Sequence, residues 1–235
     1  MNFRILGSGR TLIAAAIAVA GAMVLALAPA SSMPAQAKAN KYVGSAKCKN
    51  CHASEETGNQ HAAWQKMEHA KAFEVLASDA AKKVAAEKGI ADAQKDEKCL
   101  KCHVTAFGVQ PEQLAKGFDK ELKNGVQCES CHGPGEAHMK ARLAAAAAEG
   151  EGEKKPVVLG EGEIITNPEK KLCVTCHNSE SPNYKPFCYF KGMEKIAHYN
   201  PKRAVSDAVK AERAKKCGCG DKCPTADCAE GKCGK

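Results

Sequence analysis

The distribution of apolar and polar positions divides the chain into segments of different character. Thr11 to Ala28 is continuously apolar behind Arg4 and Arg10, and Ala35-Gln36-Ala37 follows as a small-residue cleavage pattern. The run is also long enough for a membrane anchor; Pro29 and Pro34 before the cleavage pattern favour removal. Lys38 to Ala46 is a short lead-in. Ser54 to Lys88 predicts a long helix or helix pair, opened by Ser54 with Glu55 and Glu56 and stopped by Gly89; Trp64, Glu68 and Lys71 give it the mixed faces of a surface helix. Phe107 to Gly125 is punctuated by Gly108, Pro111 and Gly117 and reads as irregular. Met139 to Glu149 is an alanine-rich helix, and Glu149 to Glu163 a glycine-rich surface loop, with acidic docking as its functional alternative. Asn167-Pro168 opens a short helix, Asn178 to Pro186 is a loop, Phe187 to Tyr199 is helical, and Ala204 to Lys216 is a polar helix. The pattern is mainly α with long loops.

A five-residue motif recurs along this frame. Cys48-to-His52, Cys99-to-His103, Cys128-to-His132 and Cys173-to-His177 each read Cys-x-x-Cys-His. In such a motif the thiols (here Cys48, Cys51, Cys99, Cys102, Cys128, Cys131, Cys173 and Cys176) form thioethers to haem vinyl groups. The adjoining histidine (His52, His103, His132 or His177) ligates the iron. One copy can belong to a zinc or dithiol site; four copies, taking eight of fourteen cysteines and four of eight histidines, point to four covalently bound haem c groups.

The remaining histidines, His61, His69, His138 and His198, are the candidates for the opposite iron face. His138 follows His132 by six residues, which span at most about 20 Å extended. The Gly133-Pro134-Gly135 turn bends that path, so His138 reaches a neighbouring haem more readily than its own. On one helix, His61 and His69 would point about 80° apart and could serve different haems but not the same one, His61 being the spare candidate for the second haem. Small neighbours favour His69, in Glu68-His69-Ala70-Lys71-Ala72, and His198 is the only histidine after the last motif. Met67, Met139 and Met193 are more simply packing residues.

Composition agrees with a cofactor-filled interior. One Trp, four Tyr and six Phe are little aromatic bulk for 235 residues, and four closely packed haems would supply it. The net charge of +8 becomes +6 without Arg4 and Arg10, and four ferric haems add about −4. Nucleic-acid binding therefore has little support; docking to a redox partner remains. Haem attachment outside the cytoplasmic membrane agrees with export, so residues 1–37 read as a signal peptide, 38–216 as a tetrahaem domain in the periplasm, and 217–235 as a cysteine-rich tail. Membrane contact would arise only from an uncleaved anchor. The five tail cysteines read as disulfides or, alternatively, a metal site; Cys188 is the other thiol outside a motif. Around Cys99 only Asp96, Glu97 and lysines stand near as acid–base groups, which makes no positive case for catalysis.

From about Tyr42 to Tyr199 the chain resembles the tetrahaem cytochrome c-554 family, related to the multihaem hydroxylamine-oxidoreductase and nitrite-reductase group. The motifs carry the resemblance, with Trp64, His69-Ala70-Lys71-Ala72, Phe107-Gly108, Gly125-to-Gly135 and Tyr184-Lys185-Pro186-Phe187 in the same order. It implies a small helical fold around four packed haems that carries electrons between a dehydrogenase and respiratory acceptors. By position it implies that His138 caps the first haem, His69 the third and His198 the fourth. The second would be five-coordinate, with its open face near Pro186 and Phe187. The alternative is an enzyme reducing a small nitrogen oxide, such as nitric oxide, at that open iron.

Overall fold

The computed structural model describes residues 40–149, 158–185, 187–203 and 205–214. The signal-peptide and anchor readings, the tail cysteines and Pro186 fall outside these residues. The chain divides into the units Met1–Ala37 and Lys38–Lys235, and everything described below belongs to the second. Its elements are α1 (Ser45–His52), α2 (Gln60–Gln65), α3 (Asp79–Glu87), α4 (Glu97–His103), α5 (Cys128–His132), α6 (Glu136–Glu149), α7 (Lys170–Cys173), α8 (Tyr189–Ile196) and α9 (Asp207–Ala214), joined by 3-10 turns. The fold is mainly α; among the described residues the only β pairing is an isolated bridge between Tyr42 and Leu114. No described helix is long and apolar enough to cross a membrane.

The long helix expected over Ser54 to Lys88 is instead broken into pieces. Gly58 at φ 99° and Asn59 at φ 40° turn the backbone left-handed before α2, and Met67 is extended before the 3-10 turn Glu68–Lys71. Ser78 then restarts the chain as the α3 N-cap, its hydroxyl accepting from Ala81 N at 3.2 Å. His61 and His69 therefore occupy different elements, and the angle computed for one helix does not apply. The helix expected over Phe187 to Tyr199 is α8 alone, ending at Ile196; Ala197 is extended, and His198 stands beyond the helix. The alanine-rich helix starts earlier than Met139, at Glu136, which puts His138 in its first turn.

The described apolar core is small and split. Leu76, Ala85 and Ala93 form one buried cluster, and Cys188, Tyr189 and Phe190 another. Between the first three motifs, buried polar groups perform the joining. Thr105 and Gln127 are 1% and 2% exposed. The Thr105 hydroxyl bonds Ser130 Oγ at 2.7 Å and accepts from Gln127 N at 2.7 Å, linking the exit of α4 to the entry of α5. Gln127 Oε1 accepts from Ser45 N at 2.7 Å, and the buried Glu129 carboxylate accepts from Val43 N, Gly44 N and Gly135 N at 2.7 to 3.1 Å. The lead-in strap is thereby fastened to α5 and to the turn that launches α6. Asn40 completes the clasp, donating to Pro134 O at 2.6 Å and accepting from Ala137 N at 2.8 Å.

Candidate haem sites

The motif histidines sit at or beyond the C-terminal ends of short helices, where a histidine is not shielded by a following turn. Several have one ring nitrogen occupied by a neutral oxygen. His103 Nδ1 meets Ala72 O at 2.5 Å, His132 Nδ1 meets Ile165 O at 2.5 Å, and His52 Nδ1 meets the Gln60 side-chain oxygen at 3.3 Å. Such a bond fixes the tautomer and leaves Nε2 free as a metal ligand. Burial holds His132, His177 and His52 below the ordinary imidazole pKa, and His69 likewise. They are neutral at neutral pH, the state that ligates iron.

Three imidazole pairs face one another at the same separation. His52 and His138, His69 and His177, and His132 and His198 each have ring centroids 6.0 Å apart. Two imidazoles on opposite faces of one metal, each with a metal–nitrogen bond of about 2 Å, place their centroids roughly 6 Å apart. Among the described residues no three His, Cys, Asp or Glu side chains converge as a bare metal-ion site. Two axial nitrogens without further protein ligands are what a macrocycle supplying the other four positions requires, so these residues fit haem. A cavity of about 460 Å³ contains the first and third motifs and is lined by His52, His132, His138 and His198, with Arg142 at its wall. The Arg142 Nε is buried and has no hydrogen-bond partner among the described residues. A second cavity of about 590 Å³ lies beside Cys176, His177 and Phe187.

These pairs differ from the ligand set that the resemblance implied. His138 faces His52, in the first motif, but His69 faces His177 rather than His132, and His198 faces His132 rather than His177. The path of the backbone explains the exchange. Val126 N donates to His69 O at 2.9 Å, which holds the Glu68–Lys71 turn beside the entry of α5 by its backbone, leaving the His69 ring directed to the fourth motif. Gly125, at φ 71°, makes that approach possible: a Cβ there would lie 2.6 Å from His69 O and 2.9 Å from Ala70 O. Ile165 N donates back to His132 O at 3.0 Å. His61 is buried edge-on against Trp64, centroids 5.4 Å apart, and among the described residues no second histidine ring faces His103. Phe187, expected near the second motif, stacks on His177 at 4.5 Å and 14°.

The four motifs touch in an order different from the sequence. α1 packs against α5, which brings the first motif to the third. Cys131 feels Cys173 and Cys176, and burial, the larger cause, together with them pushes its thiol up to about 11. Lys101 Nζ reaches the Glu180 carboxylate at 2.6 Å, joining the second motif to the fourth. The spatial order is therefore first, third, fourth, second.

Sequence reasoning missed Glu163, placed in a surface loop but only 8% exposed at its side chain. It accepts from His138 Nδ1 at 2.7 Å, Arg142 at 3.1 Å and Gly160 N at 2.9 Å. Burial opposes its ionisation, yet those bonds and the Arg142 charge prevail and hold its carboxyl below the ordinary value. One glutamate among several in a glycine-rich stretch gives no sequence signal of this.

Residues 47–133 match the family model described as cytochrome c554 and c-prime. The curated cytochrome c-554 of Nitrosomonas europaea is 38% identical over 98 residues, a match covering 40% of this chain and 39% of that relative's length. The solved structure of reduced cytochrome c554 from Nitrosomonas europaea aligns with a TM-score of 0.41 at 26% identity, over 76% of this chain and 80% of that one. The four motifs fit covalently bound haem c, and the family match is a likeness to c-type cytochromes. The chain resembles the cytochrome c554 family through its first three motifs.

Proposed function

We propose that the chain is a periplasmic tetrahaem electron carrier, exported by its N-terminal segment and passing electrons between redox-protein partners. The observation that carries the reading is the set of three imidazole pairs at 6.0 Å together with motif-to-motif contact from first to third to fourth to second. Haem c, when bound, supplies a one-electron couple at each motif. The protein's part is to hold the four sites near one another, with α1 packed on α5 and Lys101 paired with Glu180. His138, His198 and His69 each join one motif to a distant segment, so axial ligation and folding reinforce one another. Ala72 O and Ile165 O orient His103 and His132 through their Nδ1 atoms.

The second motif favours a further reading, in which one iron binds an exogenous small molecule, because His103 lacks an opposing histidine ring among the described residues. That reading extends to an enzyme reducing a nitrogen oxide only if the bound molecule turns over. The test is the purified holoprotein, reduced anaerobically and mixed by stopped flow with an oxidised c-type cytochrome. A carrier gives up four electrons per chain and shows negligible steady-state reduction of nitrite, hydroxylamine or nitric oxide. Sustained turnover of any of these overturns the carrier reading.

A further inference from the structure

The opposing imidazoles are not equivalent in what their second nitrogen meets. His198 Nδ1 meets Ile196 O at 2.9 Å, and His52, His103 and His132 likewise meet neutral oxygens. His138 alone among these meets a carboxylate, Glu163 Oε1 at 2.7 Å. The carboxylate is built into the fold rather than lying at the surface. Its second oxygen takes Arg142 Nη2 at 3.1 Å and Gly160 N at 2.9 Å, and Glu163 N donates to Gly160 O at 3.2 Å, so the side chain has little freedom to turn away.

We propose that Glu163 is a positioning residue that draws the His138 Nδ1 proton toward itself, makes that imidazole a stronger donor, and lowers the potential of the haem held by Cys48, Cys51 and His52. A histidine whose outer nitrogen donates to a carboxylate is more basic at its metal-bound nitrogen, and such outer partners tune metal sites. A more basic axial nitrogen stabilises the ferric over the ferrous state. Arg142 moderates the effect by sharing the same carboxylate. The device places the most electron-rich ligand at one end of the spatial order of motifs, where the first motif lies. Electrons are thereby biased to leave the first site toward the third. The inference rests on His138 ligating the first haem.

The test uses the full-length holoprotein, with Glu163→Gln and Arg142→Gln, followed by EPR-monitored redox titration and near-infrared magnetic circular dichroism. In Glu163→Gln one midpoint potential rises and the other three stay, the number of low-spin haems is unchanged, and the ligand-to-iron charge-transfer band of a single low-spin haem shifts. In Arg142→Gln the same midpoint falls, which keeps the inference testable should Glu163→Gln fail to fold. Unchanged midpoints, a shift spread equally over all haems, or a midpoint shift with no movement of the band would each overturn it. His138→Ala separates the two levels of reading. It converts the haem of the first motif to high-spin if the ligand assignment holds, and an unchanged low-spin count would remove that assignment itself.

Discussion

Gly125→Ala probes the junction on which two sites depend. Gly125 has φ 71° and ψ −145°, a region essentially restricted to glycine, and its position leaves no room for a methyl group. A Cβ would stand 2.6 Å from His69 O, 2.9 Å from Ala70 O and 3.1 Å from Ala72 N, all backbone atoms that cannot swing aside. The strained dihedral costs about 1–3 kcal/mol and the forced backbone shift about 1–3 kcal/mol more. The expected loss of about 2–6 kcal/mol is a large part of a total near 5–15 kcal/mol. At about 2–4 °C per kcal/mol for a domain of this size, the melting temperature falls by at least about 4 °C. The displaced segment carries both His69 and Ala72 O, the acceptor for His103, so the spectroscopic change should appear at the fourth and second motifs and spare the first. Thermal melting by circular dichroism, with EPR of the ferric protein at low temperature, reads both consequences. A wild-type melting temperature with an unchanged low-spin spectrum would refute the reasoning.

Other expectations follow from the same contacts. His69→Ala should give high-spin iron at the haem of Cys173 and Cys176, and His198→Ala at that of Cys128 and Cys131; the reverse assignment by EPR of single-site variants would reinstate the ligand set implied by resemblance. Glu129→Ala leaves the N–H groups of Val43, Gly44 and Gly135 without their acceptor. At about 1–3 kcal/mol for each unsatisfied buried group, urea unfolding should show a loss of about 3 kcal/mol or more, whereas a loss below about 1 kcal/mol would show the clasp to be replaceable by water. Carbon monoxide added to the reduced holoprotein should bind at one site, with a difference spectrum of no more than one haem per chain; binding at two sites would show that an imidazole pair opens.

The chemistry of the motifs was legible because thioether attachment and axial ligation require Cys-x-x-Cys-His in consecutive residues. His69, His138 and His198 were legible as spare histidines, and the short reach across Gly133-Pro134-Gly135 pointed His138 away from its own motif. Which motif His69 and His198 would face was not, because it depends on where Gly125 and Val126 pack against residues 69 to 72, a contact between segments over fifty residues apart. The break of the expected long helix at Asn59 and Met67 has the same origin. Asn59 tolerates φ 40° while its side chain caps α2, and local propensity alone favours continuing the helix. Thr105, Gln127 and Glu129 look like surface residues in composition; only the fold shows them buried, with most of their polar atoms bonded to the backbone of neighbouring segments.

The central claim is that three histidine pairs and one unpaired histidine hold four haems, and an EPR-monitored redox titration of the full-length holoprotein tests it most directly. The account predicts four haems per chain, three low-spin ferric signals of bis-imidazole type and one high-spin signal that disappears when carbon monoxide or nitric oxide binds after reduction. Four low-spin signals, or fewer than three, would contradict it.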